Sequence, residues 1–405
     1  MDSYFLILCS THQERAAEIG ETVSFFPTLL NGNGNRKIYD GTIRWKLEYN
    51  AQIVLGTGEF SSATYTNAVT FIVDKAGWFC ATFEGVRNGV IVAEKRIGVI
   101  VAPEMIRPSL SVPDDFDIFW QKQLEKLSKV PKDYHLTPLD SSQTVCSFDL
   151  QAPCVNGQNI SGIFMRPQTT APRKHPAILL PHGAGLRSAG YGRVAYWAAK
   201  GFLALDVNAH GLKNGCAPEY YQEKADGEFA NYMTRGFDSG DPSKPYAVNL
   251  FLRIVRALEF LSSMPEWDGR NLWLFGGSQG AWQSMAGAYL MPKVSGLACW
   301  IPAGCDLYSG GWPFAYLIGK EKSESLRRTM PYFDGCSFCS KLDNISVLFC
   351  VGLIDYVCKA DGVMAAYNSL KTKFKELEIH YQMQHETMEG VMTALDRFVM
   401  TNLKR

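Results

Sequence analysis

The chain has no net charge and no long hydrophobic run. Over 405 residues, 40 Lys and Arg balance 40 Asp and Glu, so the formal net charge is zero. Without a Lys- or Arg-rich run, the sequence lacks the electrostatic footprint of a nucleic-acid-binding protein. No apolar stretch reaches the roughly 20 residues that a membrane helix needs. We therefore expect neither nucleic acid nor membrane among its partners.

A disulfide framework and a metal-ligand pattern are also missing. Eleven cysteines, an odd number, are scattered through apolar segments, which favours buried thiols. Cys336 and Cys339 form a lone C-x-x-C with no second pair, so zinc or redox chemistry is not predicted there. His182, Asp206 and His210 show no recognised ligand spacing. We predict no metal and no cofactor.

Residues 1–103 are predicted to form an all-β domain. Short alternating or apolar runs, punctuated by Gly, Asn and Asp, occur here without helical periodicity. Trp45 and Cys80 lie within such runs, which is typical of an immunoglobulin-like sandwich. Residues 4–9 are interpreted as the first strand, because a signal peptide would need a positive start; a lipoprotein anchor at Cys9 is the alternative. The other predicted strands are 22–26, 42–49, 68–73, 78–83 and 90–101.

Residues 104–405 are predicted to form a second, α/β domain. Residues 104–135 contain a linker and a lead-in helix, with Pro113 in its first turn. The apolar face of this helix comprises Phe116, Phe119, Trp120, Leu124 and Leu127. Two antiparallel strands, 144–151 and 160–166, follow. Beyond residue 175, strands alternate with helices, which predicts a mostly parallel sheet with helices on both faces.

The predicted elements of the alternating region are short apolar strands and amphipathic helices. The strands are 177–180, 202–207, 272–275, 296–301, 347–351 and 376–381. The helices are 194–200, 247–263, 279–290, 360–374 and 390–403. Two long insertions, 209–245 and 306–343, interrupt the pattern, and such insertions often carry substrate contacts.

One G-x-S-x-G motif, Gly276-Gly277-Ser278-Gln279-Gly280, lies between a predicted strand and a predicted helix. In this context the motif forms a sharp turn that presents the serine at the carboxyl end of a sheet. Its glycines let the strand and the helix pass close together. Ser278 is therefore the predicted nucleophile, and a chance turn is the alternative.

Serine is a weak nucleophile by itself and requires a base, which an acid orients. In folds with this motif the acid and then the histidine follow the serine along the chain. His385 lies just past the last predicted strand and is the expected base. The aspartates between the two are Asp306, Asp334, Asp343, Asp355 and Asp361. Only Asp355 comes directly off the end of an apolar strand, so it is the predicted acid.

The oxyanion that forms during acyl transfer needs backbone N–H donors. The residue after the nucleophile, Gln279, is expected to supply one. The second is expected from the loop Pro181-His182-Gly183-Ala184-Gly185, and we assign it to Ala184. His182 is a candidate substrate contact, with a structural role in the loop as the alternative.

Aromatic residues cluster near the motif in the sequence. They are Trp282, Trp300, Trp312, Phe314 and Tyr316. Trp282 and Trp312 are candidates for the wall of a sugar subsite, although core packing is the default for at least half of this set.

Together, the Ser278 motif, Gly352-Leu353-Ile354-Asp355 and His385-Glu386 resemble the acetyl xylan esterase and cephalosporin-C deacetylase family, carbohydrate esterase family seven. The resemblance covers about residues 104–405. It implies an α/β-hydrolase fold and a serine esterase that removes acetyl groups from xylo-oligosaccharides or small acetyl esters. It also implies Ser278, His385 and Asp355 as nucleophile, base and acid.

The chain departs from the family pattern in three places. Asn208-Ala209-His210-Gly211 stands where the family has an Arg-Gly-Gln motif, so the arginine that braces the active-site loops is absent. Ala184 replaces a common tyrosine. The leading β domain is an addition to the compact members. These departures leave the exact substrate and the family's homo-oligomer open.

Two other functions remain as alternatives. One is hydrolysis of another bond, such as a feruloyl ester, a lactone or a peptide. The other is non-catalytic glycan binding through the β domain. For the chain as written we expect a cytoplasmic location because of the free thiols, or a periplasmic or secreted one if a signal peptide has been removed.

Overall fold

The N-terminal region is built from antiparallel strands. The structure is a computed structural model that describes residues 4–31, 40–64, 67–314 and 323–404. Its first strands are β1 (Tyr4–Ser10), β2 (Thr22–Asn31), β3 (Thr42–Tyr49), β4 (Ile53–Ser61), β5 (Val69–Ile72), β6 (Gly77–Arg87) and β7 (Val90–Val101). They form two sheets, with the orders β1-β2-β5 and β4-β3-β6-β7. The predicted strand at residues 4–9 is thus confirmed as β1.

The two N-terminal sheets share one hydrophobic core. Phe25 of β2, Leu47 of β3, Phe79 and Phe83 of β6 and Val99 of β7 are all buried in it. Because residues of the strands other than β4 face this core, the apolar runs in the sequence predicted those strands.

β4 was not predicted, and its glycines explain why. The strand contains Gly56 and Gly58, which are unfavourable in a strand interior. A Cβ on Gly58 would lie 2.8 Å from the indole of Trp45 on the neighbouring strand, and one on Gly56 would lie 3.3 Å from it. The glycines are therefore required by the close approach of the Trp45 ring, a tertiary contact that local propensity does not report.

The rest of the chain alternates strands and helices. The strands are β8 (His135–Pro138), β9 (Val145–Pro153), β10 (Asn159–Pro167), β11 (His175–Pro181), β12 (Leu203–Val207), β13 (Trp267–Gly277), β14 (Gly296–Trp300), β15 (Ser346–Gly352) and β16 (Lys375–His380). The helices are α1 (Phe116–Ser128), α2 (Gly192–Ala199), α3 (Pro218–Asp226), α4 (Ala247–Ser263), α5 (Gln279–Leu290), α6 (Glu324–Thr329), α7 (Gly335–Cys339), α8 (Ala360–Ser369) and α9 (Glu389–Thr401). None of the helices in the described ranges is long and apolar enough to cross a membrane.

A mostly parallel sheet organises this region. The described strands are ordered β16-β15-β14-β13-β11-β12-β10-β9-β8. The neighbours from β15 through β14, β13 and β11 to β12 pair in parallel, whereas β10, β9 and β8 add antiparallel strands at one side. The predicted pair 144–151 and 160–166 is confirmed as β9 and β10. Since parallel strands end at the same edge, the turns after β11 and β13 both emerge there.

Helix α8 ends five residues before the predicted boundary at 374. The residues that follow the helix form hydrogen bonds to a distant part of the chain. The N–H groups of Lys371 and Thr372 both donate to the Leu342 carbonyl, at 3.1 and 3.0 Å. The Thr372 hydroxyl donates to the Ile345 carbonyl at 2.7 Å. These long-range partners replace the intrahelical acceptors, so the helical pattern in the sequence extends beyond the helix.

The described chain divides into two compact units. Within the described residues, the first comprises 1–107, 351–368 and 379–386, and the second comprises 108–350, 369–378 and 387–405. Strands β15 and β16 therefore begin in the second unit and end in the first. Ser278 belongs to the second unit, and Asp355 and His385 belong to the first.

Candidate active site

Ser278 lies at the turn between β13 and α5 with an unusual backbone conformation. Its φ is 53° and its ψ is −125°, a region that residues with a side chain rarely adopt. Such strain persists only where the surrounding structure enforces it, and it clusters at functional sites. Here the Ser278 N–H donates to the Trp300 carbonyl at 3.2 Å, and the Ser278 carbonyl accepts from Ala303 at 3.2 Å. The turn is thus held by Trp300 at the end of the neighbouring strand β14 and by Ala303 just beyond it.

The glycines of the motif are required by close backbone approach. A Cβ on Gly276 would lie 2.5 Å from the Gly280 carbonyl, and one on Gly280 would lie 2.4 Å from the Pro181 carbonyl. A Cβ on Gly277 would enter the Trp300 indole at 2.2 Å. The first contact closes the turn, and the second brings the start of α5 against the loop that follows β11.

That loop is the predicted oxyanion loop, and it is fixed to α5. The Gln283 amide donates to the His182 carbonyl at 2.8 Å. Within the ranges that the structure describes, neither the Ala184 N–H nor the Gln279 N–H has a hydrogen-bond acceptor. An oxyanion hole requires two backbone N–H donors that are available to the substrate oxygen, and these two lie in adjoining segments.

Tyr232 links these two segments, and the sequence analysis did not identify it. Its hydroxyl donates to Gln279 Oε1 at 2.7 Å and accepts from the Gly185 N–H at 3.1 Å. The residue lies in the long insertion 209–245, which was predicted to carry contacts, but no local pattern distinguishes it from the other tyrosines. Only the fold shows that one hydroxyl joins the loop after β11 to the residue after Ser278.

A local arginine and an asparagine brace the loop after β11. Arg187 donates to the Ala184 carbonyl at 2.8 Å. The Asn208 amide donates to the carbonyls of Arg187 and Leu212, both at 3.0 Å. Asn208 is the first residue of the segment that lacks the family's arginine, so a different pair of side chains holds the loop in this chain.

His182 and His210 both have buried rings. His182 Nε2 is hydrogen-bonded to Asp206 Oδ1, and its side chain is only 7% exposed. This pairing favours the structural role over a substrate contact. His210 Nδ1 lies 3.1 Å from the Tyr246 hydroxyl. Burial, and then the charge of Arg253, lower the pKa of His210 well below its usual value, so its ring is neutral at neutral pH.

Asp355 and His385 form a hydrogen-bonded pair within the first unit. Asp355 Oδ2 lies 2.9 Å from His385 Nδ1. Asp355 Oδ1 accepts from the N–H groups of Val357 and Cys358 at 2.8 and 2.9 Å. Asp355 is fully buried, whereas 28% of the His385 side chain is exposed. The carboxylate is therefore fixed, and the imidazole is oriented with an edge accessible to solvent.

The other aspartates in the Ser278–His385 interval are placed differently. Asp334 is buried and accepts from the N–H groups of Asp306, Leu307 and Cys336 at 2.7 to 3.0 Å. Burial and the neighbouring Asp306 charge raise the pKa of Asp334 to about 7. Asp306 accepts from the Ser109 N–H and hydroxyl at 3.0 and 2.9 Å. These two carboxyl groups therefore serve loop structure.

The remaining two aspartates, Asp343 and Asp361, do not follow the end of a strand. Asp343 is exposed and precedes β15, so it is at the opposite end of that strand from Asp355. Asp361 lies in the first turn of α8. Neither follows a parallel strand at its carboxyl end.

Asp355, Cys358 and His385 also bring three metal-type donor atoms within 4.8 Å of one another. The carboxylate oxygens already accept the hydrogen bonds described above, and Cys358 is 3% exposed. A cation here would have to displace the Asp355–His385 bond. The donor set thus suits an acid–histidine pair better than a resident metal.

Two of the four candidate aromatics that the structure describes are buried. Trp282 is fully buried, and its indole N–H donates to the Phe333 carbonyl at 2.6 Å. We therefore assign Trp282 to the core. Phe314 is buried, whereas Trp300 and Trp312 are half-buried. Tyr316 lies outside the described residues.

A mostly parallel sheet with a strained serine in a G-x-S-x-G turn between a strand and a helix defines the α/β-hydrolase class. The family model described as acetyl xylan esterase (AXE1) matches residues 104–401. The chain belongs to the acetyl xylan esterase family, which confirms the resemblance inferred from its motifs.

One curated relative is the acetyl esterase Axe7A of Xylanibacter ruminicola. It is 29% identical over 277 residues, which cover 65% of this chain and 62% of that protein. The match therefore spans less than two thirds of the relative's length.

Two solved structures share the fold. An acetyl xylan esterase from Paenibacillus sp. R4 has a TM-score of 0.65 and 24% identity, covering 74% of this chain and 98% of the other. Acetyl xylan esterase 1 from Thermoanaerobacterium sp. JW/SL YS485 has a TM-score of 0.65 and 23% identity, covering 75% and 98%. At these identities the likeness establishes the fold.

Proposed function

We propose that this protein is a serine esterase that removes O-acetyl groups from acetylated xylo-oligosaccharides or related small acetyl esters. The observation that carries the proposal is the strained conformation of Ser278 in the turn after β13, held by Trp300 and Ala303. Family membership supports the acetyl ester as the substrate class. The relative and the solved structures with the same fold carry acetyl esterase names.

In the proposed mechanism Ser278 attacks the acetyl carbonyl while His385 accepts its proton. The N–H groups of Gln279 and Ala184 stabilise the oxyanion. His385 then donates the proton to the departing sugar oxygen, which leaves as a free hydroxyl, and an acetyl-enzyme remains. His385 next takes a proton from water, which attacks the acetyl carbon, and returns that proton to the Ser278 oxygen as acetate is released. Asp355 keeps Nδ1 of His385 protonated and stabilises the imidazolium.

The test of this function is acetate release by the full chain. We expect acetate from acetylated xylo-oligosaccharides and from p-nitrophenyl acetate, with p-nitrophenyl butyrate at least about tenfold slower, because a small acyl pocket excludes added methylenes. Equal rates on butyrate would favour another serine hydrolase. Hydrolysis of p-nitrophenyl esters without the oligosaccharides would refute the substrate class. Complete inactivity would favour glycan binding without catalysis.

Tyr232→Phe tests the proposed oxyanion hole. Loss of the hydroxyl removes the link between Gly185 and Gln279, so the two N–H donors are less well held, and kcat should fall about tenfold, or ~1.4 kcal/mol in activation free energy. Because the ring remains, KM should change little, whereas the free energy of unfolding should fall by about 1–3 kcal/mol, since buried Gln279 Oε1 loses its donor. Tyr221→Phe is a matched control, since its hydroxyl donates to the Lys213 carbonyl at 2.8 Å and not to Gln279. Equal effects of the two changes would contradict the proposed role.

We also propose that residues 1–103 form an immunoglobulin-like domain and that 104–405 form the catalytic domain. The shared core of the two N-terminal sheets supports a sandwich. A homo-oligomer, expected from the family resemblance, stays a prediction.

A further inference from the structure

The first compact unit combines the β domain with two short segments of the α/β region. Those segments are residues 351–368 and 379–386, and they contain Asp355 and His385. The proposed acid and base therefore share a unit with the N-terminal strands. The contacts within this unit indicate what the strands do for the pair.

Trp78 of β6 reaches the segment that carries the acid. Its indole is fully buried, and Nε1–H donates to the Leu353 carbonyl at 2.8 Å. Leu353 lies two residues before Asp355. The backbone of Trp78 is itself fixed by Asn50, whose side chain accepts from the Trp78 N–H at 2.8 Å. The β domain thus supplies a buried, oriented donor to the backbone next to the acid.

Gly98 makes room for this hydrogen bond. It lies in β7, opposite Cys80 of β6. A Cβ at this position would be 2.2 Å from the Leu353 carbonyl oxygen and 2.9 Å from Trp78 Nε1. A glycine in a strand interior is costly, and close approach of another backbone is one reason for it. The glycine therefore lets β7 lie close to the backbone of the segment that carries Asp355, which we call the acid segment.

Tyr356 secures the other side of the acid. Its ring meets the Trp78 indole edge-on, with centroids 5.3 Å apart, and the Arg96 guanidinium lies 4.5 Å over the ring. Its hydroxyl donates to Glu48 Oε2 at 3.1 Å. Asp355 is thus bracketed by two residues, Leu353 and Tyr356, that bind side chains of the β domain.

The segment that carries His385, residues 379–386, is joined to the acid segment by backbone hydrogen bonds. The Leu353 N–H donates to the His380 carbonyl at 3.0 Å, and the Ile354 N–H donates to the Met383 carbonyl at 3.2 Å. Since Leu353 also accepts from Trp78, a displacement of its backbone would move both segments. The geometry of the Asp355–His385 bond therefore depends on the β domain.

We propose that the N-terminal β domain is part of the catalytic apparatus, with Trp78 and Tyr356 as positioning residues that act through Asp355. The proposal rests on the proposed function, because it assumes that Asp355 orients the catalytic base. A carboxylate on a loop orients an imidazole only when its own support is rigid to about half an ångström. The strands supply that support.

A double-mutant cycle with Asp355→Asn tests the proposal. In the otherwise native chain, Trp78→Phe should lower kcat for p-nitrophenyl acetate about 10- to 100-fold, and Tyr356→Phe about 3- to 10-fold, with KM nearly unchanged. In the Asp355→Asn background each change should lower kcat less than about twofold, since the group through which it acts is already lost. Tyr356→Phe removes a single oxygen, so it keeps the test valid if Trp78→Phe fails to fold.

Two matched controls separate positioning from general destabilisation. Trp120 is also fully buried and donates from its indole to a backbone carbonyl, that of Tyr332, at 3.0 Å. Tyr289 donates to the Asp117 carboxylate at 2.6 Å. Trp120→Phe and Tyr289→Phe should leave kcat per folded protein within about twofold. Equal losses from Trp78→Phe in both backgrounds, or losses matched by the controls, would overturn the proposal.

Hydrogen exchange distinguishes failure of this proposal from failure of the proposed function. Trp78→Phe should speed amide exchange in residues 353–358 of the full chain, and Trp120→Phe should not. If the wild type hydrolyses no ester, the proposed function and the catalytic part of this proposal both fall. Hydrogen exchange would still show whether Trp78 holds the acid segment. If exchange of residues 353–358 is unchanged in Trp78→Phe, the structural part of this proposal is refuted too.

Discussion

Replacing Ser278 with alanine is expected to lower kcat for acetyl esters by a factor of about 10⁴ or more. The reason is that in the proposed mechanism the Ser278 hydroxyl oxygen bonds to the acetyl carbon, and no other group in that mechanism substitutes for it. KM should change much less, because the hydroxyl contributes little to ground-state binding. The measurement is acetate release and p-nitrophenyl acetate hydrolysis by the purified full chain.

Stability separates loss of the nucleophile from loss of the fold. Alanine keeps a Cβ at φ 53°, so the strain at the turn is retained and the free energy of unfolding should change by less than about 1 kcal/mol. Ser337→Ala is a suitable control, since Ser337 is also buried and lies in α7. A Ser278→Ala protein that keeps more than about a tenth of the wild-type kcat would refute the nucleophile assignment.

The second large effect is expected from Asp355→Asn, which should lower kcat by about 10⁴-fold, or roughly 5 kcal/mol in activation free energy. An asparagine can still accept from Val357 and Cys358 through its amide oxygen. Its NH₂ group would then face Nδ1 of His385 and favour the tautomer that carries its proton on Nε2. That tautomer cannot accept the serine proton, so the base is lost while the shape of the site is retained.

Asp334→Asn is the matched control for this change. Asp334 is also a buried carboxyl that accepts backbone N–H groups, including one two residues further along the chain. Because it serves loop structure, kcat per folded protein should stay within about tenfold of the wild type even if the protein is less stable. If Asp355→Asn and Asp334→Asn lower kcat equally, Asp355 has no special role as the acid.

The local context of the proposed nucleophile could be predicted because several sequence signals agree there. The glycines of the Ser278 motif require a sharp turn, the apolar run before it favours a buried strand, and the residues after it favour a helix. The structure has β13 and α5 at these positions. Chain order then pointed to His385, and the position directly after an apolar strand selected Asp355; their side chains are hydrogen-bonded in the first unit.

Other features could not be predicted because their cause is distant in the chain. β4 was not predicted, because its glycines are explained only by the close approach of the Trp45 ring, which the sequence does not show. The end of α8 is set by carbonyl acceptors near residue 342, which the helical periodicity does not report. Trp282 was a candidate sugar contact, but it is enclosed in the core. Its burial depends on residues that are distant in the sequence and close in the fold.

By itself the sequence determined the classes of the two regions, the family and the strand–turn–helix around Ser278, because periodicity, turn residues and motif spacing are local properties of the chain. Only the tertiary structure decided that Tyr232 joins the loop after β11 to Gln279 and that Trp78 and Tyr356 hold the segment of Asp355. Leu353 is 275 positions from Trp78, and their hydrogen bond exists only because folding brings strand β6 to that carbonyl. Contacts between residues so far apart produce no periodic pattern in the sequence. A single sequence gives the identity of each residue but not its contacts in the folded chain.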